Sequence, residues 1–349
     1  MPTLHCIRPS ARTWIGISLL AFLGVGLILL GGTRLVGVAV SAQHNLEALI
    51  VTSAPVPARA RGHLLALPTV APVPALIPTT ILLLGSDRRP GETAIPRSDA
   101  IILLRIDPVA RRVALLSLPR DLWVNLPGYG QNRLNAAYLL AEHDGPPGAG
   151  MALARATVSD LIAAPIDYVA VVDFRGFIGL IDAIDGIMVD VPTLLVDTRF
   201  PTADNRFTTV RFAPGLQPMD GATALTYCRV RHPDDDFARQ SRQQSVLLAI
   251  AARFRARGTL DTMLSVERIS AALVGFVQTD MPRDQIVGLV WVLRDLDLAT
   301  VEHFGLSDAD VSVGVGRDRY ALTAHPGAIA DLAANFLGIH IGTESPQKR

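Results

Sequence analysis

The chain has 349 residues, half of them hydrophobic, and its mean hydropathy of +0.35 excludes an intrinsically disordered protein. Its 32 basic and 32 acidic residues balance, so it lacks the basic excess typical of nonspecific nucleic-acid binders. Two cysteines, Cys6 and Cys228, are too few for a cysteine metal cluster or a disulfide framework. Every Lys or Arg except Lys348 is arginine, which suits phosphate binding, but a GC-rich coding bias, which the many alanines also fit, is the favoured explanation. Composition alone therefore does not indicate phosphate chemistry.

A long uncharged segment near the amino terminus predicts a membrane-spanning helix. Residues 13–33 carry no charge, and a helix of this length is about 31 Å long, the thickness of a bilayer core. Basic side chains including Arg8 and Arg12 precede the segment, so the positive-inside rule places residues 1–12 in the cytoplasm. The alternative is a cleaved signal peptide ending near residues 40–42, although signal-peptide cores are usually shorter. Both interpretations place the remainder of the chain outside the cell membrane.

The segment between residues 34 and 78 is predicted to be an extracytoplasmic linker. Six prolines fall within residues 55–78 and alternate with Ala, Val and Leu. Prolines at this density favour an extended polyproline II chain and exclude a regular helix. The pattern changes at residue 79 and no second linker follows. Residues 79–341 are therefore predicted to form one domain, and residues 342–349 a frayed tail.

Within residues 79–341, short apolar runs alternate with segments of helical periodicity. The predicted strands cover residues 79–84, 100–106, 111–118, 122–126, 167–173 and 186–191. The predicted helices cover residues 136–142, 151–162, 174–184, 218–227, 237–255, 265–277 and 283–296. Residues 256–341 are interpreted as helices packing on the sheet, apart from a loop and strand at 308–316. This alternation predicts an α/β fold with a mixed central β-sheet flanked by helices, behind one amino-terminal transmembrane helix.

Charged residues concentrate near the ends of these elements. The four clusters cover residues 85–89, 97–99, 119–121 and 227–244. Asp87 follows the first strand and Asp99 opens the second, so antiparallel pairing of the two strands would bring both carboxylates to one edge of the sheet. Arg229 and Arg231 are two residues apart and would share one face of an extended chain.

A helix is predicted to begin near Asp236, which is a good N-cap residue. Arg239, Arg242 and Gln243 have the spacing that places side chains on one helix face. Arginine in the first turn of a helix is unfavourable unless an anion binds there. Taken together, the clusters suit a Mg²⁺ ion with a pyrophosphate, because carboxylate oxygens bind the ion and guanidinium groups bind phosphoryl oxygens.

Each cluster also has an ordinary structural explanation. An aspartate at the end of a strand is usually a turn residue. Arg120 and Asp121 could form a surface ion pair of little energetic consequence, and Arg239 and Arg242 could lie on the exposed face of a helix. Other enzyme classes fit less well, because the sequence lacks GxSxG, HExxH, Walker A and helix-opening GxGxxG motifs.

In combination, the clusters resemble the LytR–CpsA–Psr family of membrane-anchored cell-wall enzymes. The resemblance runs from about residue 81 to residue 254, in motifs that include LLLGSDRR, RSDAIILLRIDP, LLSLPRDLWV, RLNAAY and DFARQSRQQ. Members transfer a glycopolymer from a polyprenyl-diphosphate lipid carrier to peptidoglycan and form a phosphodiester bond. The resemblance therefore implies a phosphotransferase that works outside the cell membrane, with a lipid-linked glycan and peptidoglycan as its partners.

The resemblance also implies a cofactor and a set of site residues. Asp87 and Asp99 match the aspartates associated with Mg²⁺ (or Mn²⁺), and the polyprenyl tail is expected in an apolar tunnel of the domain. The pyrophosphate-binding and lipid-binding set is Arg97, Arg120, Arg133, Arg229, Arg231, Asp236, Arg239, Arg242 and Gln243. The catalytic set is Arg97, Asp99, Arg120, Asp121, Arg229 and Arg231. Asp99 or Asp121 would accept the proton of the attacking sugar hydroxyl, and Arg133 matches a position often occupied by lysine.

Two other functions fit the same residues. A regulator could bind polyprenyl pyrophosphates without transfer, and a lipid pyrophosphatase could use water in place of the sugar acceptor. A nucleic-acid-binding regulator fits poorly, because the chain is neutral and lacks a helix-turn-helix signature. Cys228, between the motif residues Tyr227 and Arg229, has no role in the family and is expected to be a small buried filler.

Overall fold

A computed structural model describes part of the chain. The described residues are 45, 48–50, 77–87, 95, 97–202, 206–231, 236–282, 285–286, 300–316 and 318–339. The predicted transmembrane helix at 13–33 lies outside them, as do residues 1–12, most of the linker, the tail and most of the helix predicted at 283–296. Within the described ranges, no helix combines the length and the apolar character needed to cross a bilayer.

The secondary structure alternates between strands and helices. The strands are β1 (Thr79–Ser86), β2 (Ser98–Asp107), β3 (Arg112–Ser117), β4 (Trp123–Leu126), β5 (Gly130–Arg133), β6 (Tyr168–Asp173), β7 (Ile187–Val191), β8 (Leu195–Pro201), β9 (Phe207–Phe212), β10 (Gly215–Met219), β11 (Val277–Thr279), β12 (Glu302–Gly305), β13 (Val311–Val315) and β14 (Asp318–Ala324). The helices are α1 (Ala136–Asp144), α2 (Ala149–Ile162), α3 (Phe174–Ala183), α4 (Gly221–Arg229), α5 (Asp236–Leu273) and α6 (Ala328–Leu337). A 3-10 turn, Asp308–Asp310, precedes β13.

A six-stranded mixed sheet forms the centre of the fold, in the order β11-β6-β1-β2-β3-β12. The strands β1, β2 and β3 pair antiparallel, which follows from the short connections between them. In contrast, β6 runs parallel to β1, and β12 runs parallel to β3. The predicted mixed sheet is confirmed.

Apolar clusters cover both faces of the sheet, because successive side chains of a strand point to opposite faces. On one face, Leu103 and Leu116 belong to a cluster that includes Phe336 of α6 and residues of α1 and α2. On the other face, Ile102 packs in a cluster with Leu247 of α5. The apolar runs of β2 and β3 are continuous because both of their faces are covered.

A further apolar cluster joins α3, α4 and α5 to the strands β7–β10. In it, the ring of Tyr227 lies edge-on to Phe212 with 5.1 Å between ring centroids. Cys228 is 7% exposed, and burial raises the pKa of its thiol to about 12. The prediction that Cys228 is a buried filler is confirmed.

The helix predicted at 218–227 was placed too early. The helix α4 begins at Gly221, because the side chain of Asp220 accepts a hydrogen bond from the backbone N–H of Thr223 and caps the first turn. Residues 215–219 instead form β10 and pair antiparallel with β7.

The carboxyl-terminal third was also predicted with too much helix. The segments at 237–255 and 265–277 belong to one helix, α5, which ends at Leu273; residues 277–279 then pair with β6 as strand β11. Between 300 and 339 the described chain contributes β12 to the sheet and forms a β13–β14 hairpin. Within the predicted loop and strand at 308–316, the strand is confirmed as β13.

Candidate functional site

The register of β1 and β2 brings two of the predicted carboxylates to one edge of the sheet. Gly85 pairs with Ala100 and Ser86 pairs with Ser98, so the chain is irregular at Asp99 and Asp87 follows directly after β1. A Cβ atom on Gly85 would lie 3.0 Å from the Cβ of Ala100, so glycine allows the close approach of the two strands. The predicted juxtaposition of Asp87 and Asp99 at one edge is confirmed.

Three arginines from separate segments converge on Asp99. Its Oδ1 accepts a hydrogen bond from Nη1 of Arg120 at 2.5 Å, and its Oδ2 lies 3.7 Å from Nη2 of Arg231. The backbone carbonyl of Asp99 accepts from Nη2 of Arg239 at 3.4 Å. Three guanidinium groups therefore meet around one residue, and guanidinium groups are the side chains best suited to bind phosphoryl oxygens.

Arg239 is the most deeply buried of these arginines, with 3% of its surface exposed. Its Nη2 forms an ion pair with Oδ1 of Asp236 at 2.6 Å, whereas its Nε and Nη1 have no hydrogen-bond partner among the described residues. Burial lowers the pKa of Arg239 to about 10, although Asp236 opposes the shift. The alternative that Arg239 and Arg242 lie on an exposed helix face is wrong, because both are buried.

Arg120 belongs to a chain of alternating acidic and basic side chains. Its Nε contacts Oδ2 of Asp121 at 3.3 Å, and Oδ1 of Asp121 accepts from Nη1 of Arg133 at 2.8 Å. Arg133 in turn pairs with both carboxylate oxygens of Asp318, through Nε at 2.7 Å and through Nη2. Burial lowers the pKa of Arg120, but Asp99 and Asp121 raise it by more, so its pKa lies above the ordinary value.

The contacts of Arg133 differ from those predicted for a phosphate ligand. Hydrogen bonds to Asp318 and Asp121 raise the pKa of Arg133, and Arg133 holds the pKa of Asp318 at about 2. Every described hydrogen bond of the Arg133 side chain goes to one of these two carboxylates. Sequence reasoning missed Asp318, which lies 185 residues from Arg133 in the chain.

Arg229 and Arg231 occupy different environments. Arg229 ends α4, so the extended chain assumed for the pair is wrong; its guanidinium lies 4.8 Å from the ring centroid of Phe174 and 5.4 Å from that of Phe200. Arg231 follows the helix and is exposed, with its backbone N–H donating to the buried carboxylate of Asp197 at 3.3 Å. Asp197 was not predicted, and no sequence pattern distinguishes it from a turn residue.

The remaining predicted residues lie on or beside the same elements. Arg97 is exposed directly before β2, and Gln243 is half-buried in α5. Arg242 is buried, and its Nη2 donates to the carbonyl of Val230 at 2.6 Å, which ties α5 to the end of α4. The helix start predicted near Asp236 is confirmed.

Two carboxylates at one edge of the sheet can hold Mg²⁺ only if other ligands complete its coordination. Among the described residues, no group of three or more His, Cys, Asp or Glu side chains is arranged to hold a metal. Mg²⁺ is commonly held by one or two carboxylates together with substrate phosphates and water. Asp87 and Asp99 therefore fit an ion that arrives with a phosphate substrate.

Comparison with known proteins identifies a matching family and related sequences. The LytR_cpsA_psr family model matches residues 73–325. "Regulatory protein MsrR" of Staphylococcus aureus (strain COL) is 29% identical over 223 residues, covering 62% of this chain and 61% of that protein. The "Polyisoprenyl-teichoic acid–peptidoglycan teichoic acid transferase TagU" of Oceanobacillus iheyensis is 32% identical over 212 residues, covering 60% of this chain and 61% of that protein. The chain thus spans about three fifths of the length of these relatives.

The fold is shared with solved structures. The structure titled "Crystal structure of B. subtilis TagV" superimposes with a TM-score of 0.61 at 23% sequence identity, covering 76% of this chain and 97% of that one. At this level of identity the likeness establishes a common architecture, the mixed sheet between helices.

Proposed function

The chain belongs to the LytR_cpsA_psr family, and from that premise we propose that it transfers a glycopolymer from a polyprenyl-diphosphate carrier to peptidoglycan, forming a phosphodiester bond. The proposal includes attachment to the cell membrane by a single helix at residues 13–33, with residues 1–12 in the cytoplasm and the catalytic domain outside. It is supported by the sequence relative named as a teichoic acid transferase that acts on peptidoglycan.

The observation that carries the proposal is the buried guanidinium of Arg239. A buried N–H group without a partner costs about 1–3 kcal/mol, and Arg239 has two nitrogens in this state within the described structure. Both nitrogens have almost no solvent contact, so an anionic ligand with several acceptor oxygens would satisfy them once neighbouring side chains move to admit it. Arg120 and Arg231 lie beside the carboxylate of Asp99, and Arg239 donates to the backbone carbonyl of the same residue. A pyrophosphate has the charge and the number of oxygens that this arrangement requires.

The proposed reaction exchanges one phosphorus–oxygen bond for another. A sugar hydroxyl of peptidoglycan attacks the phosphorus that bears the glycan, and the bond from that phosphorus to the bridging oxygen breaks. The products are a glycan–phosphate–peptidoglycan diester and polyprenyl monophosphate. Arg120, Arg231 and Arg239 stabilise the negative charge that builds on the phosphoryl and leaving oxygens, the largest expected catalytic effect.

The proton of the hydroxyl passes to a carboxylate, for which Asp99 is the better candidate of the two predicted. Both oxygens of Asp121 already accept contacts from arginines, at 3.3 Å and 2.8 Å. Oδ2 of Asp99 has only the longer 3.7 Å contact with Arg231. Asp87 and Asp99 would hold Mg²⁺ or Mn²⁺, which when bound supplies positive charge to the phosphoryl oxygens. Oδ2 of Asp99 cannot bind the ion and take the proton at once, so with Asp99 on the ion the proton would pass to Asp121.

The lipid tail needs an apolar surface close to this site. Leu83 and Leu104 of the sheet and Leu247 and Leu248 of α5 are only partly buried, and they flank the apolar cluster between the sheet and that helix. The same helix carries Arg239 two turns earlier. We place the polyprenyl chain along these leucines, with its pyrophosphate at the amino-terminal end of α5.

The test uses the purified full chain with a polyprenyl-diphosphate-linked oligosaccharide, Mg²⁺ and peptidoglycan fragments, and identifies products by mass spectrometry. The variants are Arg239→Gln and Asp99→Ala. The matched control is Arg253→Gln, on the same helix, whose Nε donates to the carbonyl of Ile184. A phosphodiester adduct that both site variants lose and the control keeps is the expected result.

Two other results would replace the proposal. Release of polyprenyl monophosphate without an adduct would identify a lipid pyrophosphatase. Tight binding of the lipid without turnover, in the presence and absence of acceptor, would identify a binding protein of the regulatory kind.

A further inference from the structure

We propose that Asp318, on the β13–β14 hairpin, is a positioning residue that sets the orientation of Arg120 through Arg133 and Asp121. The inference rests on the proposed function, because it assigns Arg120 to the phosphate. It also moves Arg133 from the predicted ligand set to the support of the site.

The contacts form an unbroken ladder of opposite charges. Asp318 holds one edge of the Arg133 guanidinium with both of its oxygens, a paired geometry that fixes orientation as well as distance. The remaining Nη1 of Arg133 donates to Asp121 at 2.8 Å, and Asp121 contacts Nε of Arg120 at 3.3 Å. The ladder ends at Asp99, which accepts from Nη1 of Arg120 at 2.5 Å.

The ladder is sheltered rather than lying freely on the surface. The side chains of Arg120, Asp121, Arg133 and Asp318 are 19–26% exposed. Charged pairs in such surroundings are screened less by water and salt than exposed pairs, and a connected network can contribute more than its separate pairs. A change at Asp318 is therefore expected to reach Arg120.

Backbone hydrogen bonds hold the β13–β14 hairpin against the segment that contains Asp121. The N–H of Leu322 donates to the carbonyl of Asp121 at 2.9 Å, and Leu122 forms an isolated parallel bridge with Leu322. Asp318 is itself fixed, since its Oδ1 accepts from the N–H of Tyr320 at 3.1 Å. The hairpin thus presents Asp318 to Arg133 at a set position.

The ladder fixes the plane of the Arg120 guanidinium group. Its Nε is held by Asp121 and its Nη1 by Asp99, which leaves Nη2 without a hydrogen-bond partner in the described part of the chain. If Asp318 loses its charge, the Arg133 guanidinium can rotate and donate from more of its nitrogens to Asp121. Asp121 would then move away from Arg120. Small misplacements of a group that acts on the transition state cost up to about 100-fold in rate.

The test measures formation of the glycan–phosphate–peptidoglycan adduct by the full chain from a polyprenyl-diphosphate-linked oligosaccharide, Mg²⁺ and peptidoglycan fragments. Asp318→Asn keeps the size of the side chain and removes its charge. We expect kcat to fall about tenfold, KM to stay within about twofold, and Asp318→Glu to recover part of the loss. Glu302→Gln is the matched control, because Glu302 forms a carboxylate–arginine pair with Arg112 in the same carboxyl-terminal region, outside the ladder.

A double-mutant cycle separates positioning from a general structural role. Asp318 and Arg120 share no hydrogen bond, so a purely structural effect of Asp318→Asn should multiply with that of Arg120→Lys. If Asp318 acts through Arg120, Asp318→Asn should have little further effect on kcat in the Arg120→Lys background. Thermal midpoints of each variant are measured beside the rates.

The outcomes distinguish the two proposals. Loss of kcat with Arg120→Lys but not with Asp318→Asn would overturn the positioning role and leave the proposed function intact. Multiplying effects, or equal losses of rate and thermal midpoint in Asp318→Asn and Glu302→Gln, would also overturn it. An unchanged rate with Arg120→Lys would overturn the assignment of the phosphate site itself.

Discussion

Replacing Arg239 by methionine should stabilise the protein in the absence of ligand and remove its affinity for pyrophosphate. Burial lowers the pKa of Arg239 to about 10, more than two pH units below the ordinary value of an arginine, with the opposing effect of Asp236 already included. Each tenfold loss of proton affinity corresponds to about 1.4 kcal/mol, so keeping this charge in the fold at neutral pH costs roughly 3 kcal/mol. Methionine has a similar length and carries no charge.

The net gain is smaller than that cost. A volume-conserving change in a packed site usually costs up to about 1.5 kcal/mol through imperfect packing. Asp236 keeps a contact with Gln240 at 3.3 Å and is 27% exposed, so water can solvate the carboxylate that loses its partner. The expected net stabilisation is about 2 kcal/mol, or a rise in thermal midpoint of about 4–8 °C for a domain of this size.

Thermal unfolding of the full chain, with and without sodium pyrophosphate, measures both effects. Pyrophosphate at about 100 times its Kd should stabilise the wild type by about 2.7 kcal/mol, whereas Arg239→Met should not respond. Because the pKa of this cation is lowered to about 10 in the fold, the unfolded state binds more protons than the folded state above about pH 10, up to the ordinary pKa of an arginine. The stability advantage of the variant should therefore be constant below pH 10 and shrink above it.

The reasoning fails if Arg239→Met unfolds at a lower temperature than the wild type without ligand and pyrophosphate raises both midpoints equally. That pair of results would mean that the Arg239 charge is compensated within the fold and does not face an anion. Arg253→Met, on the same helix, should be destabilising, because its Nε donates to the carbonyl of Ile184 at 2.8 Å.

Two further predictions concern packing. In a Cys6→Ser background, the thiol of Cys228 should not react with thiol reagents at pH 8 until the protein unfolds, because it is buried and burial raises its pKa to about 12; reaction at the rate of an exposed thiol would contradict this. Gly150→Ala should lower stability by about 1–3 kcal/mol, because the new Cβ would lie 2.4 Å from the carbonyl oxygen of Tyr138. Gly305→Ala, whose Cβ would meet its nearest atom at 3.7 Å, is the control, and equal thermal midpoints for the two variants would refute the clash.

The sequence predicts the central strands well and the edge strands poorly, for a physical reason. The runs in β1, β2 and β3 are continuously apolar because helices cover both faces of the sheet. The strand β12, Glu302–Gly305, has a single large apolar residue and is extended only because it pairs parallel with β3. Nothing local to its four residues predicts that pairing.

The site also contains residues that the sequence predicts and residues that it does not. Asp87 directly follows β1 and Asp99 lies at the start of β2, the next strand in the chain, so antiparallel pairing of these two strands alone brings them to one edge. Asp318 contacts Arg133, which lies 185 residues away in the chain. In the sequence alone, Asp318 cannot be distinguished from an ordinary solvated turn residue. Contacts of this kind depend on the docking of whole elements, which periodicity and motif spacing do not encode.

Arginines that look equivalent in the sequence therefore receive different roles from their surroundings. Arg133 is held by two carboxylates, and its described hydrogen bonds are satisfied within the protein. Arg239 has one close carboxylate, is almost completely buried, and keeps two nitrogens without a partner among the described residues. An arginine whose charge is balanced by carboxylates can hold neighbouring side chains in place. A buried arginine with unused donors lowers the stability of the fold unless an anion binds to it. On this ground we propose that Arg239 binds the phosphate and that Arg133 orients Arg120.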